Sequence, residues 1–273
     1  MTTKHRTALW LALALGATAC RGGRTTESAG VDCSGDALEY AIDAARPPMR
    51  FTLVVPPSGD ADLWLGAGPD AELGDTGGLF RAPVDPATRA DLCSLVQRAP
   101  AGEATSSGEG SGHLRVTRGD SVRELSLEAD GSRLLRAKLD AVIAATASHP
   151  FKAVKLGLAL RREGTKVSSE LVFTSVGAET FDGVLFEAGP FWLHGDLSDG
   201  ASTASLSFAD VDGLVSRGAL PAGAWHLEAG KELRVPGPAL TSGGSEITAT
   251  ATFWVPEGKS RRAVTLRAKA KAP

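Results

Sequence analysis

The sequence predicts an α+β protein: an N-terminal antiparallel sheet with helices on one face, followed by an all-β sandwich. Three observations predict it. A strand–turn–strand–helix order occurs twice, over residues 51–98 and 114–147. Near Pro150 the apolar period changes from 3.6 to 2. Apolar residues at 42% and charged residues at 22%, with 32 Gly and 15 Pro, describe a folded chain with many turns. At 5% aromatic, its core is built mainly from Leu, Val and Ala. A net charge of −3 excludes a strongly basic chain, so no nucleic-acid partner is expected.

Lys4 and Arg6 precede the uncharged run 8–17, which is too short to cross a bilayer but fits the apolar region of a secretory signal. Ala17-Thr18-Ala19 satisfies the small-x-small cleavage rule, giving a signal peptide over 1–19. Residues 20–32 are polar, without apolar periodicity, and read as a tether.

Residues 36–46 read as a helix, with Leu38, Ala41, Ile42 and Ala45 at helical spacing and Asp36 with Glu39 as a capping-box-like start. Residues 51–55 and 62–65 read as short strands, followed by a Gly-rich connection over 66–78. Asp85-Pro86 opens a helix whose buried face is Leu92, Leu95 and Val96, and 101–112 is a low-complexity loop. Strands over 114–117 and 122–127 flank an Arg118-Gly119-Asp120 turn. Ser132 caps a helix with Leu135, Leu139, Val142 and Ile143 on one face, stopped by Pro150. These elements define an α+β domain over 33–150. Residues 151–273 form the sandwich, with strands at 154–160, 167–173, 181–186, 204–208, 225–227, 247–254 and 264–270.

Two resemblances add to this reading. Leu15-Gly16-Ala17-Thr18-Ala19-Cys20 resembles a bacterial lipobox, with Ala17 where that family favours Leu. The resemblance implies lipidation of Cys20, with palmitate among the acyl chains, and a membrane partner reached through that anchor. Arg21 is not the Asp associated with inner-membrane retention, which points to the outer membrane, facing the periplasm or the cell surface. An ordinary signal cleavage at the same bond stays open. Lipidation of Cys20 leaves Cys33 and Cys93 as one pair in an oxidising compartment. A bond between them would close a loop of about 60 residues, worth about 4 kcal/mol on the chain-entropy model; a reduced pair is the alternative. The strand-plus-turn over 171–178, with the turns at Val235-Pro236-Gly237 and 253–258, resembles bacterial immunoglobulin-like modules.

Chemistry-bearing motifs are sparse. His113, His149, His194 and His226 lack metal-ligand spacing, and no G-x-S-x-G elbow occurs. His194-x-Asp196 places two ligand-type side chains on one strand, and acids gather at Asp70, Glu72 and Asp75, at Asp196 and Asp199, and at Asp210 and Asp212. None fits an EF-hand, so they read as solvated loop acids. Gly119-Asp120-Ser121 lacks the Leu that would complete a GDSL esterase block. Arg267, Lys269 and Lys271 alternate on the last strand as a solvated face or an anionic-surface contact. The expectation is a cell-envelope lipoprotein with a non-enzymatic interaction or structural role and no cofactor, whose partner is an envelope protein or a polysaccharide. The alternatives are an envelope hydrolase using His194 and Asp196, and an inhibitor or chaperone-like binder.

Overall fold

A computed structural model describes residues 35–45, 48–66, 74–99, 112–127, 130–187, 189–258 and 260–273. The signal, the tether with Cys20, Cys33 and most of the loop 101–112 lie outside the described residues.

Leu38 and Tyr40 are buried while Glu39 between them is exposed, a period of 2. Residues 36–46, expected as a helix, are therefore strand β1 (Ala37–Ala45). The helical spacing of Leu38, Ala41 and Ile42 coexists with this alternation. Pairing on both edges decides in favour of the strand, because β1 lies between β2 (Pro48–Val55) and β5 (Gly112–Arg118). Strands β3 (Asp60–Leu65) and β4 (Thr76–Pro83) extend the sheet on one side and β6 (Ser121–Ser126) ends it on the other. The Gly-rich connection expected over 66–78 thus contains the start of a strand. Gly78 has φ +119, and a side chain on Gly77 would meet Leu266 Cδ2 at 2.8 Å. Glycine is needed there because another sheet packs directly on this backbone.

Helix α1 (Pro86–Arg98) starts where Asp85 accepts the Thr88 N–H at 2.9 Å, and Pro86 supplies a first helical residue that needs no hydrogen bond. Helix α2 (Arg133–Ala147) buries Leu135, Leu139 and Val142. With Leu92 and Val96 of α1 these pack on β1–β5, forming the first core.

After α2 the chain enters β7 (Pro150–Glu163), which pairs with β4, and then β8 (Lys166–Ser175). The boundary expected at residue 150 falls inside one hydrogen-bonded sheet, and from Cys33 onward the chain is one compact unit. With β13 (Glu232–Pro236) on β8, this sheet, A, runs in the order β13-β8-β7-β4-β3-β2-β1-β5-β6, and β14 (Leu240–Thr241), also on β8, is its tenth strand.

Sheet B is antiparallel and six-stranded. Its central strand β15 (Glu246–Glu257) pairs with β16 (Ser260–Lys271) on one side. On the other side lie β10 (His194–Ser198) and β9 (Phe181–Phe186), with β11 (Thr203–Ser205) and β12 (Gly223–Leu227) beyond them. Residues 204–208, expected as a strand, split between β11 and helix α3 (Phe208–Ser216). Ser207 and Asp210 form a reciprocal capping box there, which turns the chain into a helix. Phe173 of sheet A meets Trp225 and Phe253 of sheet B edge-on, at 5.7 and 5.5 Å, in a second core.

The described chain is thus mostly β, with two antiparallel sheets and three helices. Helices α1 and α2 cover one face of sheet A and sheet B covers part of the other, with α3 packed into the core between the sheets.

Candidate functional site

Where the chain crosses from sheet A to sheet B, its backbone folds over the start of β7. The Val176 N–H donates to Ala153 O at 3.0 Å and the Glu179 N–H to Phe151 O at 2.9 Å. The β4–β7 register shifts here, from Leu79 opposite Lys152 to Phe80 opposite Pro150, so Phe151 bulges out of the ladder. This crossing opens a cleft of about 710 Å³. Trp64, Leu79, Phe151, Phe181 and Val255 give it an apolar lining, and Arg81, Lys152, Glu179, Asp182 and His226 bring charge.

Most of these charges are held by neighbours. Arg81 and Asp62 are directly opposite on β3 and β4 and form a bidentate pair at 2.6 and 2.9 Å. The Arg81 guanidinium also lies 4.3 Å from the centre of the Phe151 ring. Asp182 and His226 are cross-strand partners on β9 and β12, with Nδ1 2.6 Å from Oδ1. The other oxygen of Asp182 lies 3.8 Å from Lys152 Nζ. One carboxylate therefore links an imidazole of sheet B to an ammonium of sheet A. In the neutral tautomer that donates Nδ1–H to Asp182, the His226 Nε2 is an acceptor. Among the described residues no Ser, Thr, Cys or Tyr lines this cleft, so the described lining offers a base and charges but no hydroxyl or thiol nucleophile.

The residues expected from sequence are distributed elsewhere. His194 and Asp196 share the exposed face of β10, away from the cleft lining. The Trp192 ring centre is 3.8 Å from that of His194, and burial pushes the imidazole pKa down while Asp196 opposes the shift. His149 ends α2 with Nδ1 3.1 Å from Ala145 O. Asp75 pairs with Lys155 at 3.2 Å. Asp199 closes the β10–β11 turn, accepting from the Ser242 hydroxyl at 2.6 Å and the Ser202 N–H at 2.8 Å. These bonds, that of Ser242 foremost, hold its carboxyl well below the usual range. Asp210 is not a loop acid: it caps α3. Asp70 and Glu72 lie outside the described residues. Arg118 of the Arg-Gly-Asp turn is paired with Asp36, donating from a terminal guanidinium nitrogen at 2.8 Å.

Cys93 lies on α1 and is disulfide-bonded; Cys20 and Cys33 are both outside the described residues. On β16, Lys269 pairs with Glu246 at 3.3 Å and Lys271 is exposed. Arg267 is half-buried, and its Nε has no acceptor among the described residues. The neighbouring Arg261 is held bidentately by Glu187 at 3.1 and 3.3 Å.

Among the described residues no group of three or more His, Cys, Asp or Glu is placed to hold a metal ion, and no helix is long and apolar enough to cross a membrane. No family model, curated protein or solved structure matches the chain.

Proposed function

We propose that this chain is a cell-envelope lipoprotein whose folded body is a non-enzymatic binding module, taking its ligand in the cleft between the sheets. The observation that carries the reading is the cleft's composition. A ligand site is a concave, largely apolar surface with a few fixed polar groups. Here Trp64, Phe151 and Phe181 provide the first, and Arg81, Lys152 and His226, each beside a carboxylate, provide the second.

In this reading Cys20 carries the acyl chains, residues 20–32 are the tether, and the sandwich half is an immunoglobulin-like module on the outer membrane. Two antiparallel sheets packed over one core support that last point. Cys33 is the partner of Cys93. Asp36, three residues beyond Cys33, lines the same shallow depression as Cys93, which supports the pairing. The hydrolase alternative moves from His194 and Asp196 to His226 and Asp182, whose 2.6 Å contact is the geometry of an oriented base.

Cross-linking from a photoreactive residue at Glu179 in cells, followed by mass spectrometry, tests the binding reading. A specific adduct lost on Lys152→Glu supports it. Turnover of an ester, glycoside or peptide panel that vanishes in His226→Ala would replace it with the hydrolase reading.

A further inference from the structure

Strand β11 is an edge of sheet B, and its ladder with β10 fixes which of its backbone groups are used. The Leu206 N–H donates to Gly195 O at 2.8 Å and the Asp199 N–H to Ser202 O at 3.2 Å. Both bonds continue the β10–β11 register, and bonded pairs in an antiparallel ladder fall at every second residue. Residues 202, 204 and 206 therefore bond inward to β10. The N–H and C=O of Thr203 and Ser205 point the other way, to the open side, where no backbone group among the described residues bonds to them. Both residues are exposed. No charged residue and no proline occurs between Asp199 and Asp210, so this edge lacks the devices that guard a strand against pairing.

The molecule also has room beside β11. A groove of about 390 Å³ lies between β11, helix α3 and the segment 236–239 at the edge of sheet A. Near it the two sheets are tied together, by the Ser202 hydroxyl on Thr241 O at 3.4 Å and the Ser242 hydroxyl on Asp199 at 2.6 Å. Leu206 is buried in the core between the sheets, so Ala204, two residues before it, faces the same way. The two charged residues of the groove lining are opposite in sign. Asp210 is turned to Ser207 as the α3 cap, and Arg217 lies back over Gly213, its Nη1 3.3 Å from where a Cβ would sit. The lining thus has no net charge with which to select a charged ligand.

We propose that β11 takes an extended polypeptide segment as a further strand of sheet B. A free strand edge presents an N–H and a C=O at every second residue, roughly 7 Å apart, and an extended peptide backbone supplies the complementary groups at that spacing. Thr203 and Ser205 hold its main chain. The side chain opposite Ala204 enters the groove against Leu206, Leu214 and Pro238, all buried, which favours an aliphatic residue there over a charged one. This site shares no residue with the cleft lined by Phe151 and His226 and does not rest on the reading of that cleft.

The probe is an equimolar library of hexapeptides blocked at both ends, passed over the immobilised chain and read by mass spectrometry. Retained peptides are expected to carry aliphatic residues at alternate positions. Methylating a backbone nitrogen that faces β11 should weaken binding about tenfold, the change expected for losing one good hydrogen bond, and methylating its neighbour should change little. Ser205→Pro removes an outward N–H while leaving the β10 ladder in place, and should weaken binding to a similar degree. Where Ser205→Pro lowers the melting temperature, the methylated peptides decide, because they leave the protein untouched. Amide exchange at Thr203 and Ser205 should slow on binding, and added salt should change the Kd by less than about twofold. Retention of no peptide, or equal binding of both methylated forms, overturns the proposal. Binding lost on Lys152→Glu but kept in Ser205→Pro also overturns it and moves the peptide to the cleft. Dimerisation of the free chain that Ser205→Pro abolishes, with no peptide retained, overturns it in favour of a second copy on this edge.

Discussion

Ala153 and Val154 are consecutive on β7 and both fully buried, yet they belong to different cores: Ala153 packs with the helices and Val154 with the sandwich. Successive residues of a strand point to opposite faces, so a strand covered on both sides feeds two cores at once. This is why the apolar pattern changes near Pro150 although the sheet does not end there.

One cooperative unfolding transition is expected, because the two cores share the backbone of sheet A. Leu139→Ala in the helical core and Phe253→Ala in the sandwich should each cost about 2–5 kcal/mol. Calorimetry should show a single lowered melting transition for each. Two resolved transitions would mean that the cores unfold independently.

Gly77→Ala is expected to destabilise by about 1–3 kcal/mol, the cost of overpacking. The added methyl would sit 2.8 Å from Leu65 O and from Leu266 Cδ2, and only the latter can move easily. Urea denaturation measures the change, and a neutral substitution would show that the two sheets approach less closely here.

Tyr40 is the chain's only tyrosine, so absorbance at 295 nm reports it alone. Burial is the main reason its pKa is pushed up to about 12, from the usual 10. The native protein should therefore show no phenolate signal at pH 10–11, whereas the protein in denaturant should titrate near 10. Because the folded state resists ionisation, stability should fall as pH rises above about 10. A native midpoint near 10 would contradict the burial.

The opposite sign applies to His194. Its pKa is lowered by burial, so the unfolded chain binds this proton more readily than the folded one. Stability should decline as pH falls from about 6.5 through the folded-state value. His194→Gln should remove that part of the slope; an unchanged slope in denaturation curves from pH 7.5 to 5 would assign it elsewhere.

Local chemistry was readable in the sequence where it acts locally. Asp85-Pro86 announces α1, and the alternation over 247–254 and 264–270 announces β15 and β16. Ser207 and Asp210 also carry a local signal, but with Asp212 nearby it reads as a loop acid cluster. Residues 36–46 satisfy both a helical and an alternating pattern, and only the distant partners β2 and β5 decide between them. The cleft was not legible. His226 and Asp182 are 44 positions apart and meet only through the β9–β12 register. Arg81 and Lys152 join them because β4 pairs with β7, a contact hidden by the glycines that open β4.

Strand β16 is an edge of sheet B, and its exposed backbone is partly finished by a much earlier segment. The Thr265 N–H donates to Gly66 O at 2.5 Å and the Arg267 N–H to Gly74 O at 2.9 Å. Two donors that would template another chain are thereby occupied. The cost is topological, since this closure joins residues nearly 200 positions apart. During synthesis or export the side of β4 that faces β16 waits uncovered until Ser260–Lys271 arrive. A chain stopped short of residue 260 would therefore carry a bare apolar strip along Leu79 and Trp64, and such fragments should depend on holdase chaperones far more than a chain that includes β16 does.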